Sequence, residues 1–408
     1  MSWPIPEIRR QQRPASLKFW RWALWFFIVM LGGSALILAF WSQFPNESNF
    51  TFGIRLVLIP LLVFILTFML RLSWHWGKDN FVDAWDREIE NVYHRHRQWA
   101  KRHLTVMDGA TITPHEHLAA RIRGESTLKA PFMPGENRAI VDKDAIADNL
   151  PSTPRDVQYW VMLLNNIKSS LLQIQHEGEL EIILSGALDP YDASTDWDNA
   201  WRLAGLEQPY SLQLVKSDEC GVARLGEWID QHNKTFRLLV MTHLGPAERL
   251  KHTESVQMLL LAPPDWYTDP EHYQPVATLY RPLPTTLDDL SEDLSQLNHF
   301  GAHRLDDVSC CWMVGLPEDK RGEVVQSLSL AGMNFKQQGV ANRIFFLEDY
   351  LGLLADNSPW LLLSLAIEKT LDLHHEANQT MGTGPQLVMI SHQQELWILL
   401  LNDPKLQG

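Results

Sequence analysis

The 408 residues carry 35 Lys and Arg against 49 Asp and Glu, a formal net charge of −14, with 45% hydrophobic residues and three cysteines. Such a chain is long enough for more than one domain and for a core that needs no staples. Its acidity argues against nucleic-acid binding, which requires a positive surface. Cys220, Cys310 and Cys311 are too few and too oddly spaced for a disulfide framework, which suits a reducing compartment.

The charge is unevenly spread: residues 1–103 hold 13 basic and 7 acidic side chains, the remainder 22 and 42. The basic excess surrounds two apolar segments. The first, "WALWFFIVMLGGSALILAFW" at 22–41, has no charge and is closed by Trp22 and Trp41. As a helix it rises about 30 Å, the thickness of a hydrocarbon core, with an amphipathic ring at each interface. The second, "FGIRLVLIPLLVFILTFML" at 52–70, has one charge, Arg55, near its end, and Pro60, which a membrane helix tolerates. The loop "SQFPNESNFT" between them has no Lys or Arg. Arg9, Arg10, Arg13, Lys18 and Arg21 precede the first span, and Arg71 and Lys78 follow the second. That asymmetry predicts a two-span membrane hairpin (22–71), with the N-terminus (1–21) and the C-terminal body in the cytoplasm and the lipid bilayer as partner. Gly32, Gly33 and Ser34 would permit close helix packing. A cleaved signal peptide fits poorly because a second span follows. A buried soluble hairpin is the competing reading.

Residues 72–103 read as a juxtamembrane helix. Phe81, Trp85, Ile89, Val92, His96 and Trp99 recur at spacings of three and four, with acidic residues in the first half and basic ones in the second. Its basic end is expected to touch anionic headgroups or the acidic body. Glu90 and His94, with His96 and His103 nearby, have ligand chemistry, but His94 and His96 face different sides of a helix; a solvated helix end and no metal are expected, as for "PHEH" at 114–117. Residues 104–152, with four prolines and no period, read as an irregular linker containing a short helix near 118–123. "STPRDVQYW" then starts a helix, with Thr153 as cap and Pro154 in the first turn.

From 153 to 408, strands are expected at 181–184, 212–215, 237–242, 256–261, 276–280, 310–314, 343–347, 387–390 and 396–401. Helices are expected at 197–204, 223–232, 287–299, 320–331, 347–355 and 360–374. The alternation predicts an α/β layered domain around a largely parallel sheet, with the last two strands a hairpin turning at "SHQQE". No period of 20 to 50 residues is present.

No P-loop, G-x-G-x-x-G, G-x-S-x-G or H-E-x-x-H occurs, and no cofactor is expected. "TMGTGP" at 380–385 follows a helix and precedes a strand, the reverse of a phosphate cradle. "SGALDP" at 185–190 ends a strand and would expose Asp189 at the carboxyl edge where ligands bind α/β sheets, though an ordinary turn is the expected reading. Asp288, Asp289, Glu292 and Asp293 read as a solvated helix face. The candidate catalytic residue is Cys220: "LQLVKSDECGVARLGEWI" reads strand, short turn, helix, and a thiol near a helix N-terminus has a lowered pKa that suits a nucleophile.

This order of elements, followed by "TFRLLVM" and "VQMLLLAP", is similar to the nucleophile region of thiolase and ketosynthase folds. The resemblance implies that Cys220 pairs with histidines in an H-G-T-G-like loop and a G-H-containing loop. The counterparts here, "CCWMVGLP" and "LEDYLGLLADNSP", contain none, so it implies an inactive relative. As a whole the chain resembles inner-membrane accessory proteins of proteobacterial type VI secretion clusters, on "RRQQRPASLKFWRW", the hairpin, and the acidic body with "RPLPTTLDDL". That resemblance implies a role in anchoring a secretion apparatus at the cytoplasmic face. The function expected is a membrane-tethered interaction protein presenting a non-catalytic domain to protein partners. The alternatives are a membrane-anchored thiolase-like enzyme using Cys220 and a metabolite sensor built on a degenerate pocket.

Overall fold

The computed structural model describes residues 3–4, 8–40, 49–115, 118–122, 139–140, 153–186, 190–216, 221–231, 233–245, 252–264, 266, 275–333, 344–356, 358–375, 384–392 and 395–402. The chain forms two compact units, Ile5–His96 and a larger body of Arg97–Gly408 together with Met1–Pro4.

In the smaller unit, α1 (Phe19–Ala39) and the first part of α2 (Asn49–Ala100) are apolar and long enough to cross a bilayer. No residue of α1 is buried by protein, and Trp20, Leu31 and Phe50 point outward, unlike the core helix of a soluble domain. The helices pack antiparallel. Trp22 lies edge-on to Phe68 at 5.1 Å, Phe26 meets Phe64 at 5.1 Å, and Ser34 Oγ donates to the Leu56 carbonyl at 3.1 Å. Gly33 marks the closest approach: a Cβ there would meet Pro60 Cγ at 2.8 Å, whereas one at Gly32 would meet nothing. The second span and the juxtamembrane helix, expected as separate segments, are one helix of 52 residues. Nothing in "RLSWHWGK" stops it, since Gly77 costs only about 1 kcal/mol and no proline follows Pro60.

The body is built on one mixed sheet of eleven strands. Its elements in order are β1 (His103–Ile112), α3 (Leu118–Ile122), α4 (Arg155–Gln173), β2 (Glu179–Ser185), α5 (Pro190–Leu203), β3 (Ser211–Val215), α6 (Ala223–Asp230), β4 (Thr235–His243), β5 (Ser255–Ala262), β6 (Ala277–Tyr280) and β7 (Leu283–Thr285). They continue with α7 (Leu290–Phe300), β8 (Cys310–Val314), α8 (Glu318–Leu330), β9 (Ile344–Phe346), α9 (Glu348–Leu351), α10 (Ser358–His375), β10 (Gln386–His392) and β11 (Glu395–Asn402). Each expected strand is present. Two were not foreseen: β7, and β1, which occupies the start of the segment read as linker. The helix expected at 347–355 breaks at Gly352 (φ 69°), leaving the short α9, and α4 begins at Arg155, one residue later than its cap pattern indicated.

The strand order is β3-β2-β4-β5-β1-β6-β11-β10-β8-β9, with β7 beside β11. This order is a duplication. In the first half β2 pairs parallel with β3 and β4, while β5 returns antiparallel between β4 and β1. In the second, β8 pairs parallel with β9 and β10, and β11 returns antiparallel between β10 and β6. The returning strands make the sheet mixed rather than largely parallel. The halves join where β1 and β6 run antiparallel, from His103 opposite Tyr280 to Val106 opposite Ala277.

Alternate residues of each strand serve different cores. Ile182, Leu184, Leu238 and Val240 face α4 and α5, where Trp160 meets Trp197 edge to face and Trp197 lies tilted against Trp201. Ile183, Leu239 and Met241 face the opposite way, into a core shared with Trp312, Val388, α6 and α10. Both faces are covered, so β5 and β8 are buried at every residue; β8 reads as an unbroken apolar run, and β5 does so from Met258 onward.

If Gly33 sets the helix crossing, Gly33→Leu will lower the thermal unfolding midpoint of the full chain in detergent, while Gly32→Leu will leave it unchanged. Equal effects of the two would remove Gly33 from that role.

Candidate functional site

In a sheet of this kind the chemistry concentrates where parallel strands end, because chain reversals there expose backbone and side chains above the sheet edge. In the first half β2 and β3 end level, with Ser185 opposite Val215, and β4 runs two residues past Met241, the partner of Ser185, to His243. Asp189 and Cys220, the residues singled out from sequence at this edge, lie outside the described residues. Cys220 falls in sequence between the end of β3 and the start of α6.

The β4–β5 connection leaves from the same edge. His243 ends β4 opposite Ser255, and His252 precedes β5, with ring centroids 5.7 Å apart at 77°. Burial, then the neighbouring His252, lowers the His243 pKa against the opposing pull of Glu254 and Asp356, so the ring is held neutral. Beside them Glu254 is fully buried and fully engaged. Arg155 from α4 reaches its two oxygens at 2.8 and 3.0 Å, and the backbone N–H groups of Ile140 and Gly245 donate to it at 2.8 and 3.0 Å. Burial disfavours the Arg155 charge, but the bond and charge of Glu254 outweigh it and raise the guanidinium pKa. The bidentate pair fixes the mouth of the connection to α4. Thr253 extends the fixation to the second half, its N–H donating to Leu353 O at 2.8 Å and its hydroxyl to Leu351 O.

The loops in which the resemblance looked for histidines do meet. Gly315, just after β8, donates its N–H to Glu348 at the start of α9. Gly315 has φ 78°, and a Cβ there would lie 1.9 Å from Ser391 O, so only glycine fits. Arg321 of α8 grips Asp349 at 2.7 Å and Glu348 at 3.4 Å and lies 4.4 Å over the Phe346 ring. Burial raises the Glu348 pKa, opposed by the N–H groups and by Arg321. A charged lock thus stands at this position.

Other sequence candidates fall elsewhere. Cys310 and Cys311 are buried in β8, and burial pushes the Cys311 thiol pKa well up, so neither is a nucleophile. His96 is buried and burial lowers its pKa, and His103 lies edge-on to Tyr280. Among the described residues, no three His, Cys, Asp or Glu side chains are grouped to hold a metal. Asp293, expected on a solvated face, is buried, and burial raises its pKa. Arg281 of "RPLPTTLDDL" is structural: it bonds Asp230 at 2.9 Å, lies 4.0 Å over the Trp99 ring, and pulls the Asp230 pKa down. His243, His252 and Glu254 belong to no motif. Their placement becomes visible only when β4 and β5 are known to pair.

No family model and no curated protein matches the sequence. Solved structures do. The acyl-carrier protein of a type II polyketide synthase in complex with its ketosynthase bound to the hexaketide is similar over 74% of this chain and 99% of that one, with TM-score 0.51 and 10% identity. A ketosynthase domain from Streptomyces albus JA3453 covers 74% and 95% at TM-score 0.46 and 9% identity. 3-Oxoacyl-[acyl-carrier-protein] synthase III from Aquifex aeolicus VF5 covers 73% and 99% at 0.41 and 7%. At these identities the likeness concerns fold alone, and nothing in it supports the resemblance to secretion-cluster proteins. The body has a mixed α/β fold of the thiolase/ketosynthase-like kind.

Two outcomes follow from the geometry. Glu254→Gln leaves Arg155 facing a neutral partner and should cost about 3 kcal/mol, read as a lower denaturant midpoint of the body's tryptophan fluorescence. His243 has a folded-state pKa below its ordinary 6.5, so its contribution to stability is complete above about pH 6.5 and lost as pH falls through the folded value. His243→Gln should therefore flatten the acid-side decline of the unfolding midpoint below that pH.

Proposed function

We propose that the body binds an acyl thioester at the carboxyl edge of its first half and takes up the acyl group on Cys220. The two apolar helices hold it at a membrane, with both chain ends on the cytoplasmic side. The observation that carries this reading is the duplicated strand order with a ketosynthase-like fold, in which the connection from β3 to α6 contains Cys220 while His243 ends β4 and His252 lies in the β4–β5 connection. In the step proposed, the Cys220 sulfur bonds the thioester carbonyl carbon and the thioester C–S bond breaks. The proton leaving Cys220 passes through a neutral imidazole to the departing thiolate. His243 suits that role because burial keeps it unprotonated near neutral pH. No oxidant or metal takes part in this step.

A second reading has its own support. The Arg321–Glu348–Asp349 lock fills the paired loops where the resemblance looks for histidines, which favours a non-catalytic domain that recruits cytoplasmic proteins, secretion-apparatus components among them. A tether raises local concentration, so modest affinity would be enough.

Incubating the full chain in detergent with an acyl-coenzyme A at pH 7 and mapping the mass gain separates the two. The acyl reading expects an adduct on the Cys220 peptide, none on Cys310 or Cys311, loss of the adduct in Cys220→Ser, and a rate lower by about 10²-fold or more in His243→Asn. A Cys220 that reacts with iodoacetamide yet never acquires an acyl group would overturn it. Reproducible co-purification of a protein partner in that case would support the scaffold reading.

A further inference from the structure

The smaller unit contains a groove of about 490 Å³ between the segment ahead of α1, the start of α1, and α2. Its two ends differ in chemistry. Lys18, Arg21 and Arg71 supply three cations at the rim, and among the described residues lining it there is no Asp or Glu. The wall beyond is apolar, formed by Trp22, Trp25, Val29 and Phe64. The antiparallel packing of Trp22 on Phe68 and of Phe26 on Phe64 brings the two ends of the hairpin together, so cations far apart in sequence share one mouth. Arg71 also stacks at 4.3 Å on Trp74, which orients the guanidinium from below. A second groove on the hairpin, lined by Phe50, Ile54, Val57 and Leu58, has no cation among its described lining residues.

We infer that this groove is a binding site for one anionic phospholipid of the leaflet at the basic end of the hairpin. The headgroup phosphate sits among Lys18, Arg21 and Arg71, and an acyl chain lies along Trp25, Val29 and Phe64. Charge and shape argue together. A soluble anion would leave the apolar wall uncovered, and a neutral lipid would leave three like charges crowded at one mouth without compensation. This inference rests on the reading of α1 and α2 as membrane-spanning.

The full chain, purified in detergent, is titrated with dioleoyl phosphatidylglycerol or dioleoyl phosphatidylcholine and observed by native mass spectrometry. One phosphatidylglycerol should be retained per chain, with a preference of about tenfold or more over phosphatidylcholine. Lys18→Ala/Arg21→Ala/Arg71→Ala should abolish the preference. Val29→Trp, which fills the wall and keeps every charge, should weaken retention of phosphatidylglycerol, and Arg71→Lys should largely preserve it. Equal retention of both lipids, an unaltered preference in the triple variant, or displacement of the lipid by millimolar inorganic phosphate would each overturn the site. Alkaline carbonate washing of membranes holding the chain separates the two failures. A chain that stays in the membrane but shows no lipid preference refutes the groove alone; a chain released by the wash refutes the membrane reading and the groove with it.

Discussion

The body depends on a short antiparallel pairing, four residues of β1 against four of β6. On either side lies a group of strands with the same order, each ending in a returning strand that would otherwise present a bare edge. β1 covers β5 and β6 covers β11, and their mutual pairing closes the last gap, so the eleven strands form one hydrogen-bonded surface. The seam is reinforced from its flank. Arg281, next after β6, donates to the Trp99 carbonyl and to Asp230 of α6, while Trp3 donates its indole N–H to Pro282 O at 3.1 Å and lies edge-on to Trp99. Buried cation, aromatic rings and extended backbone meet where the two halves join.

Duplication of the architecture does not make the halves chemically equal. In the first, the strand ends gather two imidazoles around a carboxylate that is already spent on an arginine and two backbone donors. In the second, Arg321 holds two acidic side chains at the paired loops. The helices differ as well: α6 covers Ala223–Asp230, while α10 runs from Ser358 to His375 and supplies the larger share of the inner core. The two halves thus place different charged and aromatic groups at corresponding strand ends.

Most of this architecture was legible because its strands are short apolar runs between turn signals and its helices carry clear apolar stripes. β1 was missed for a physical reason. "HLTVMDGATI" mixes polar and apolar residues without regular alternation, and it is half-buried because it follows a helix directly and bulges between Val106 and Asp108. The duplication was hidden because what the halves share is strand order, not residues at a fixed period. The close approach of α1 and α2 was legible at Gly33, but the continuity of α2 was not, since its charged residues end the apolar run without supplying a helix stop. At the edge of the sheet, sequence could single out one cysteine by its neighbours. It could not assemble His243, His252, Glu254 and Arg155, which are set by strand pairing and by a contact across 99 residues.

Length matters in the central helix α10. Its stretch from Ser358 to Glu368 is greasy enough to resemble a third bilayer segment, yet it rises only roughly 17 Å, about half of the hydrocarbon depth. Shortness is what separates this stretch, packed in the body's own interior, from α1 and α2, whose apolar runs are long enough to cross a bilayer.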